Sequence, residues 1–303
     1  MKQGRDWRVT RRTCLAGALG VPFALGGFAQ SQTRTLQQAA KDDDAGDWVC
    51  PMDPDVRQKT PGVCPRCGMK LVAHVPDRVN YRLEVTHEPE LLKPNEPGVL
   101  TFRAIDPRND EVAKKFEIVH ERLMHLFLVS EDLEYFLHDH PVLQSDGSFR
   151  LPVRLKKAGM HRLLADFYPS GSVPQLAEAT IYAAGDSTAA HLEPSTGQSK
   201  CANLTAVLRV DPAPLLAGFE ARLTYELTPS EGIEPYLGAW GHMLAVSEDL
   251  IDLLHVHPFL SDGAGTMQFN MIFPRPLRYK IWTQFQRLGI VNTTVFVVGV
   301  GSL

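Results

Sequence analysis

The chain has 303 residues, of which 44% are hydrophobic and 22% charged, and its formal net charge is −4. This composition is that of an ordinary globular protein, and the length allows about two domains plus a small module. The slightly acidic balance excludes the basic surface that nucleic-acid-binding domains use. No apolar run approaches the ~20 residues of a membrane-spanning helix. We therefore expect neither a nucleic-acid partner nor a stable membrane span once the amino-terminal signal is removed.

Residues 1–29 have the features of an export signal. A basic head precedes the apolar stretch Cys14–Ala29, which ends in small residues suited to cleavage. The segment Thr10–Leu15 contains Arg11 and Arg12 and looks like a twin-arginine motif. We expect a periplasmic or secreted protein; the alternative is a mitochondrial-like or merely basic amino terminus. Residues 30–46 are polar, with little to bury, and are predicted to be a linker.

Residues 47–75 hold three of the five cysteines in a segment too small for a hydrophobic core, so a bound metal is expected to replace that core. Cys64 and Cys67 are two residues apart and can reach one ion, while Gly68 permits the left-handed backbone of a knuckle. Cys50 would close the site from the far side of a short loop. The fourth ligand is open between three residues: Met52, Asp53 and Met69. Sulfur ligands suit Cu(I) and are accepted by Zn(II), so the expected cofactor is a copper or zinc ion.

This segment resembles the heavy-metal-binding domain of copper and silver efflux adaptors and of metal-pumping ATPases. The family pattern is Cys-Pro-Met-His-Pro, a loop ending in Pro-Gly, then Cys-Pro-x-Cys-Gly-Met, and the chain matches it from Cys50 to Leu71. Asp53 stands where the family usually has histidine. The resemblance covers residues 48–74 and implies heavy-metal binding. The alternatives for the cysteines are a structural zinc ribbon and a disulfide.

Residues 80–185 consist of short alternating segments separated by turn residues, such as Tyr81–Val85 and Gly98–Ile105. This spacing is typical of an antiparallel sandwich of the immunoglobulin type. Residues 186–202 are rich in small residues and are predicted to be a linker with little to pack.

Residues 203–303 repeat the plan of residues 80–185. Three motifs recur in the same order: Val129–Leu133 as Val246–Leu250, His138–Pro141 as His255–Pro258, and Ser145–Gly147 as Ser261–Gly263. The expected fold class is therefore mainly β, with a small cysteine metal-binding module followed by two tandem antiparallel immunoglobulin-like β-sandwich repeats.

Each repeat carries three histidines with the same spacing. The first triad is His125, His138 and His140, and the second is His242, His255 and His257. A four-residue loop at Ser130–Leu133 would pair Val129 with Glu134 and place His125 opposite His138. His140 lies on the same face because side chains alternate along a strand. The triads are candidate metal sites; the alternative is that the histidines only close the end of a sandwich.

The surroundings of the two triads differ. The first repeat also has His120, Met124, Asp139, Met160, His161 and Asp166, whereas the second has Arg278 and Gln284 in place of Met160 and Asp166. An arginine near the site would repel a cation. We therefore expect the first triad to bind metal and the second to be a weaker, decayed copy.

No catalytic residues are predicted, because the chain contains no nucleophile elbow, phosphate-binding glycine loop or familiar Cys–His pair. The expected function is that of an exported, non-enzymatic protein that handles copper or a similar soft transition metal. Its candidate partner is an efflux or metal-transfer protein. The alternative is an interaction scaffold with a structural zinc ribbon and protein-binding sandwiches. A copper-dependent oxidase is a third hypothesis, which would need an open histidine site and a substrate pocket.

Overall fold

The computed structural model describes residues 48–50, 56–65, 68–73, 79–261 and 265–303. The predicted export signal and the linker at 30–46 lie outside the described residues, as do Met52, Asp53 and Cys67. All regular elements among the described residues are β-strands. Accordingly, the described part of the chain has no helix long and apolar enough to cross a membrane.

The cysteine module is a small antiparallel structure. Strand β1 (Trp48–Val49) pairs with β2 (Arg57–Gln58), and single bridges join Val49 to Val72 and Val63 to Lys70. With so few ladder hydrogen bonds, these strands cannot account for the stability of the module by themselves.

The first repeat is a sandwich of two five-stranded sheets. Its strands are β3 (Arg82–Glu88), β4 (Gly98–Asp106), β5 (Glu111–Val112), β6 (Phe116–Glu117), β7 (Met124–Ser130), β8 (Phe136–Asp139), β9 (Val142–Leu143), β10 (Phe149–Val153), β11 (Gly159–Pro169) and β12 (Gln175–Ala183). One sheet has the order β3-β4-β10-β9, with β5 on β4. The other has the order β12-β11-β7-β8, with β6 on β11.

The second repeat is a sandwich of a five-stranded and a six-stranded sheet. Its strands are β13 (Gln198–Lys200), β14 (Thr205–Asp211), β15 (Leu215–Leu216), β16 (Glu220–Thr228), β17 (Ile233–Glu234), β18 (His242–Ser247), β19 (Leu253–Val256), β20 (Leu260–Ser261), β21 (Thr266–Ile272), β22 (Arg278–Arg287) and β23 (Ile290–Gly301). The sheet orders are β13-β14-β16-β21-β20 and β15-β23-β22-β18-β19, with β17 on β22. The pairing is antiparallel except between β15 and β23.

Each sandwich has its own core. Leu100, Phe102 and Phe149 are fully buried in the first, and Leu223, Tyr225 and Phe269 in the second. The alternating burial of β4, β10, β16 and β21 follows from strands with one face in a core and one face outward. The predicted fold class, a cysteine module followed by two tandem antiparallel immunoglobulin-like sandwiches, is therefore confirmed.

The two repeats also share a third core. Strands β7 and β18 are buried along their whole length, which means that both of their faces are covered. One face of each strand belongs to its own sandwich's core, and the other packs on the opposite repeat through a cluster that includes Phe127, Val129, Leu244 and Val246. At this interface the Trp282 ring stacks on Phe136 with centroids 5.2 Å apart and planes 7° from parallel.

The segment predicted as a linker with little to pack contributes to this assembly, so that expectation was wrong. Leu192 is buried in the shared cluster, and Ser195 exchanges two backbone hydrogen bonds with Val297 of β23. The last part of the segment forms strand β13. The Ala190 amide also donates to the Glu131 carbonyl of the first repeat, so the segment is tied to both repeats.

Candidate metal sites

The two histidine hairpins have a common register that differs from the predicted one. Val129 pairs with Phe136 and Phe127 with His138, so that His125 falls opposite His140 rather than His138. The loop is longer than expected because the Ser130 hydroxyl donates to Asp132 and accepts a hydrogen bond from the Tyr135 amide. A shift of two residues keeps every side chain on its face. The three histidines therefore converge despite the error.

The first triad brings three imidazole nitrogens together at the interface between the repeats. His125 Nδ1 lies 3.2 Å from His138 Nε2 and 3.2 Å from His140 Nε2. All three donor atoms lie within 4.8 Å of one another. The second triad has the same arrangement, with His257 Nε2 3.0 Å from His242 Nδ1 and His255 completing the group.

Hydrogen bonds on the outer side of each ring fix which nitrogen carries the proton. His125 Nε2 donates to the Val119 carbonyl at 3.0 Å, and His242 Nε2 donates to the Tyr236 carbonyl at 2.9 Å. His138 Nδ1 donates to Gln284 Oε1 at 2.6 Å. Since a neutral imidazole has only one proton, the inner nitrogens of these rings present lone pairs. The tautomers are thus set from outside, as they are around metal-binding histidines.

Two lone pairs facing each other at 3.2 Å, as on His125 and His138, repel unless a cation lies between them. A tetrahedral ion with metal–nitrogen bonds of about 2.0–2.1 Å holds its ligand nitrogens about 3.3–3.4 Å apart. The observed separations of 3.0 and 3.2 Å are close to that spacing. Chemically, each triad can therefore hold one small transition-metal ion.

The partner that orients each triad comes from the other repeat. Gln284 on β22 accepts the hydrogen bond from His138, and Asp166 on β11 accepts one from His255 at 3.0 Å. Asp166 and Gln284 occupy equivalent positions, opposite His125 and His242 in their own sheets. The sequence comparison placed each residue with the triad of its own repeat, which agrees with the strand pairing, but it could not show that the side chains bond to the other triad.

The predicted role of Arg278 was also wrong. Arg278 lies six positions before Gln284 on β22, and its guanidinium is 3.7 Å from the Glu248 carboxylate. The aligned Met160 packs at the edge of the shared cluster. Neither residue is beside the histidines, so they do not distinguish the two triads.

Burial keeps the histidines neutral. It lowers the pKa of His125 to about 4, of His140 to about 3 and of His138 to about 2, and it also lowers the pKa of His242 and His257 well below the usual value. Burial acts to raise the pKa of Asp166, but the hydrogen bond and charge of His255 lower it. The interface thus combines one buried carboxylate with five imidazoles that burial keeps neutral: His125, His138, His140, His242 and His257.

In the cysteine module, Cys50 and Cys64 lie in one buried cluster with Leu71, and they are 0% and 2% exposed. The Cys64 amide donates to the Met69 carbonyl at 2.7 Å, and the Gly68 amide donates to the Cys64 carbonyl at 2.9 Å. Gly68 has φ +75°, the left-handed conformation expected of the knuckle. The local geometry therefore brings two of the three predicted thiolates together.

Met69 has a different environment. Its side chain packs against Val119 and Tyr168 of the first repeat. These contacts are those of a packing residue, and its role as a metal ligand stays a prediction. A cavity of about 860 Å³ lies next to this contact, lined by residues of the module and of both repeats, including Met69, Glu117, His120, Tyr168 and Gly238.

Comparison with known proteins identifies the module. Residues 48–75 match the model of the family described as heavy metal binding domain. A silver exporting P-type ATPase of Salmonella typhimurium is 51% identical over 35 residues, which are 12% of this chain and only 4% of that protein. The predicted heavy-metal-binding module is therefore confirmed.

Solved structures show low overall similarity. The Escherichia coli adhesin FdeC is 15% identical with a TM-score of 0.26, covering 77% of this chain and 71% of that one. The Yersinia pseudotuberculosis adhesin InvE is 13% identical with a TM-score of 0.24, covering 74% and 61%.

A second family model matches the sandwiches. It matches residues 74–185 and again residues 199–302, in agreement with the two repeats. Because these matches cover more than half of the chain, the protein belongs to the family described as domain of unknown function DUF8832.

Proposed function

We propose that this protein handles copper or a similar soft transition metal outside the cytoplasm, using the cysteine module and the paired histidine triads as binding sites. One observation carries the histidine part of the proposal. In the first triad, the inner nitrogens of His125 and His138 meet at 3.2 Å although the protons of both rings are held outward, and the second triad repeats this arrangement of three rings. No catalytic step is needed for this function, and we propose that the protein is not an enzyme.

A purely structural histidine cluster would use its ring protons differently. Rings that only close a sandwich can donate N–H groups to loop carbonyls, as His125 does, but would be expected to meet one another through N–H···N hydrogen bonds. The His125 and His138 protons are already committed to Val119 and Gln284, so the 3.2 Å contact between these rings is not a hydrogen bond between neutral imidazoles. A bound cation removes the repulsion that the arrangement would otherwise contain.

The choice of metal rests on the ligand types. Thiolates favour Cu(I) and accept Zn(II), and imidazole suits both copper and zinc. The two kinds of site would therefore accept the same metals with different preferences. Met69 and the adjoining cavity place the module beside the sandwiches, which supports transfer of an ion within one molecule. An efflux or metal-transfer protein is the proposed recipient.

Export is proposed from the twin-arginine-like segment. Replacing Arg11 and Arg12 by lysine should leave the precursor in the cytoplasm with its signal uncleaved. Cell fractionation and immunoblotting measure its location, and normal secretion of that variant would refute the proposed route.

A scaffold with a structural zinc ribbon is the second candidate. The observation that favours it is the contact of Met69 with Val119 and Tyr168, because a module that only docks on a sandwich needs a metal solely to fold. The two candidates differ in exchange: a structural ion resists chelators, whereas an ion in transit is readily lost.

The test is a metal titration of the full chain in competition with a chromophoric chelator, using Zn(II) and Cu(I). The double variant His138→Ala/His255→Ala should bind two ions fewer than the wild type. His191→Ala is the control, because that side chain is 80% exposed and lies beside Glu193. Equal stoichiometry in the wild type and the double variant would refute the histidine sites.

A further inference from the structure

One histidine outside both triads reaches the second triad from the first repeat. The His120 ring centroid lies 3.9 Å from that of His257 and 5.5 Å from that of His242. From His125, in its own repeat, the distance is 6.3 Å. His120 is only 9% exposed, and its Nε2 has no hydrogen-bond partner among the described residues. A buried imidazole nitrogen without a partner loses the free energy of its hydration, so its position calls for an explanation.

His120 is held in place by a tight hairpin turn. Val119 and Arg122 pair across a two-residue loop in which His120 and Glu121 have φ of +46° and +66°. Such turns favour asparagine and glycine, and other residues carry a cost of about 1–2 kcal/mol each. The equivalent turn of the second repeat has Leu237 and Gly238, with φ of +52° and +72°. The turn is therefore common to the repeats, but only the first supplies an imidazole.

Charges near the two triads favour a cation at the second. The Asp166 carboxylate is 2% exposed and bonds to His255 through Oδ2, while its Oδ1 has no hydrogen-bond partner among the described residues. A buried carboxylate is stabilised by a nearby cation. His255 Nε2, on the other side of that ring, is buried and likewise lacks a hydrogen-bond partner within the described part of the chain.

The first triad also feels the charge of Asp166, which acts on His125, but its other neighbours are less favourable to a cation. Burial, the neighbouring His125 and then the charge of Arg122 lower the pKa of His140, so Arg122 is close enough to act on this triad. The partner behind His138 is the neutral amide of Gln284. A cation at the first triad thus shares the charge of Asp166, but its outer hydrogen-bond partner is neutral and a guanidinium lies nearby.

In this structure the ligand nitrogens of His242, His255 and His257 lie within 4.8 Å of one another, and the His120 ring packs on that of His257. We infer that His120 moves from this ring contact to complete a four-imidazole metal site that spans the two repeats, with Asp166 as its buried counter-charge. The ligand is a divalent ion that accepts four-coordinate nitrogen ligation, such as Zn(II) or Cu(II). The first triad keeps three imidazoles and an open position. This inference rests on the proposed function and reverses the sequence-based ranking of the triads.

The arrangement divides the work between the sites. A closed site with four protein ligands holds its ion firmly, whereas a site with three ligands leaves a position for an incoming or outgoing ligand. The second triad then holds the retained ion of the interface, and the first triad holds the exchangeable ion. His120 also lines the cavity beside the cysteine module, so the turn that completes the second site faces the route by which an ion could arrive.

The test compares three full-length proteins titrated with Zn(II) against a chromophoric chelator: wild type, His120→Leu and His161→Leu. Leucine is chosen because Leu237 occupies the equivalent turn, so the fold should tolerate it. His161 is a matched control: it is fully buried and its Nε2 has no hydrogen-bond partner in the described region, but its ring lies beside Tyr135. We expect His120→Leu to lower the affinity for one of the two histidine-bound ions by at least about tenfold, which is the lower bound for losing a partner in the outer shell. His161→Leu should leave both ions unchanged.

Cobalt(II) provides a second readout, because its visible absorption reports the number and geometry of ligands. The cysteine module contributes equally to all three spectra and cancels in the differences. His120→Leu should change the imidazole part of the spectrum and His161→Leu should not. If His120→Leu fails to fold, His120→Asn replaces it, since asparagine tolerates the left-handed turn and has a shorter reach.

The outcomes separate the inference from the proposed function. Unchanged zinc affinity and an unchanged cobalt spectrum in His120→Leu would overturn the four-imidazole site while leaving metal binding by the triads intact. If the wild type binds no more zinc than His138→Ala/His255→Ala, the triads do not bind metal, and both the proposed function of the triads and this inference fail.

Discussion

Replacing Gln284 by alanine should weaken metal binding at the first triad, although Gln284 belongs to the second repeat. Its Oε1 accepts the His138 Nδ1 proton at 2.6 Å, and its Nε2 donates to Thr293 at 3.2 Å, which fixes the orientation of the amide. Without this acceptor, the His138 ring can rotate or move its proton to the inner nitrogen. A ring protonated on its inner nitrogen cannot bind an ion.

The magnitude follows from the role of this single hydrogen bond. Loss of an outer-shell partner costs about 10–100-fold in metal affinity, which is roughly 1.4–2.8 kcal/mol at 1.4 kcal/mol per tenfold. The metal-free protein should also lose about 1–3 kcal/mol of stability, because His138 Nδ1 would be left buried without an acceptor.

The assay is a zinc competition titration in two backgrounds. In the His255→Ala background, where the second triad is disabled, Gln284→Ala should lower the affinity for the remaining histidine-bound ion. In the His138→Ala background, where the first triad is disabled, Gln284→Ala should leave the affinity for the remaining ion unchanged. Gln286→Ala is the matched control, since Gln286 lies two residues further along β22 and bonds to Glu234 instead of a histidine.

The reverse pattern would refute the reasoning. If Gln284→Ala weakened binding only in His138→Ala, Gln284 would serve the triad of its own repeat, as the sequence alignment suggested. Equal affinity with and without Gln284 in both backgrounds would show that the 2.6 Å contact does not orient a ligand.

Three further predictions concern stability and folding. Trp282→Ala should lower the free energy of unfolding of the full chain by about 3–5 kcal/mol, because this buried ring stacks on Phe136 of the other repeat; in urea denaturation, a loss below 1 kcal/mol would show that the repeats hardly depend on their contact. The metal-free protein should lose stability as the pH falls from about 6.5 towards 4. Burial lowers the folded-state pKa of His120 and His125 to about 4, whereas histidines of the unfolded chain have a pKa near 6.5. The unfolded chain therefore binds more protons than the folded protein in that pH range. Thermal melting across this range measures the effect, and a constant melting temperature would contradict it. Cys64→Ser should unfold the cysteine module and leave the sandwiches intact, because the buried cluster around Cys50 and Cys64 is too small to fold without metal; amide NMR dispersion that is unchanged over residues 48–73 would disprove this.

Much of the fold follows from local sequence patterns. Alternation in β4 and β16 predicts strands with one buried face, and the repeated Val-Ser-Glu-Asp-Leu motif marks equivalent hairpins. The triads follow from the same repetition, because two histidines separated by one residue must share a face. The register error came from the turn: the Ser130 and Asp132 side chains bond to the loop backbone and add two residues to it. A shift of two residues leaves each side chain on the same face of the sheet, so the prediction that the three histidines converge was still correct.

The relation between the repeats could not be obtained in this way. Asp166, Gln284 and His120 act on histidines of the other repeat, more than 80 residues away along the chain. A signal was nevertheless present. The runs Met124–Val129 and His242–Val246 are continuously apolar apart from histidine instead of alternating, and such strands are buried on both faces. The second covered face of β7 and β18 is where the repeats meet.

The exchange of orienting residues couples metal binding to the contact between the repeats. Each triad is complete only when the other repeat supplies Asp166 or Gln284. An ion that binds the completed triad more tightly than the incomplete one therefore stabilises the docked arrangement of the repeats by that difference in binding free energy. Symmetry would make the two contributions equal, but a carboxylate stabilises a neighbouring cation more than an amide does. Asp166 and Gln284 therefore give a duplicated fold two unequal sites. The stronger one, at His255, is the one expected to hold the repeats together when the weaker one is empty.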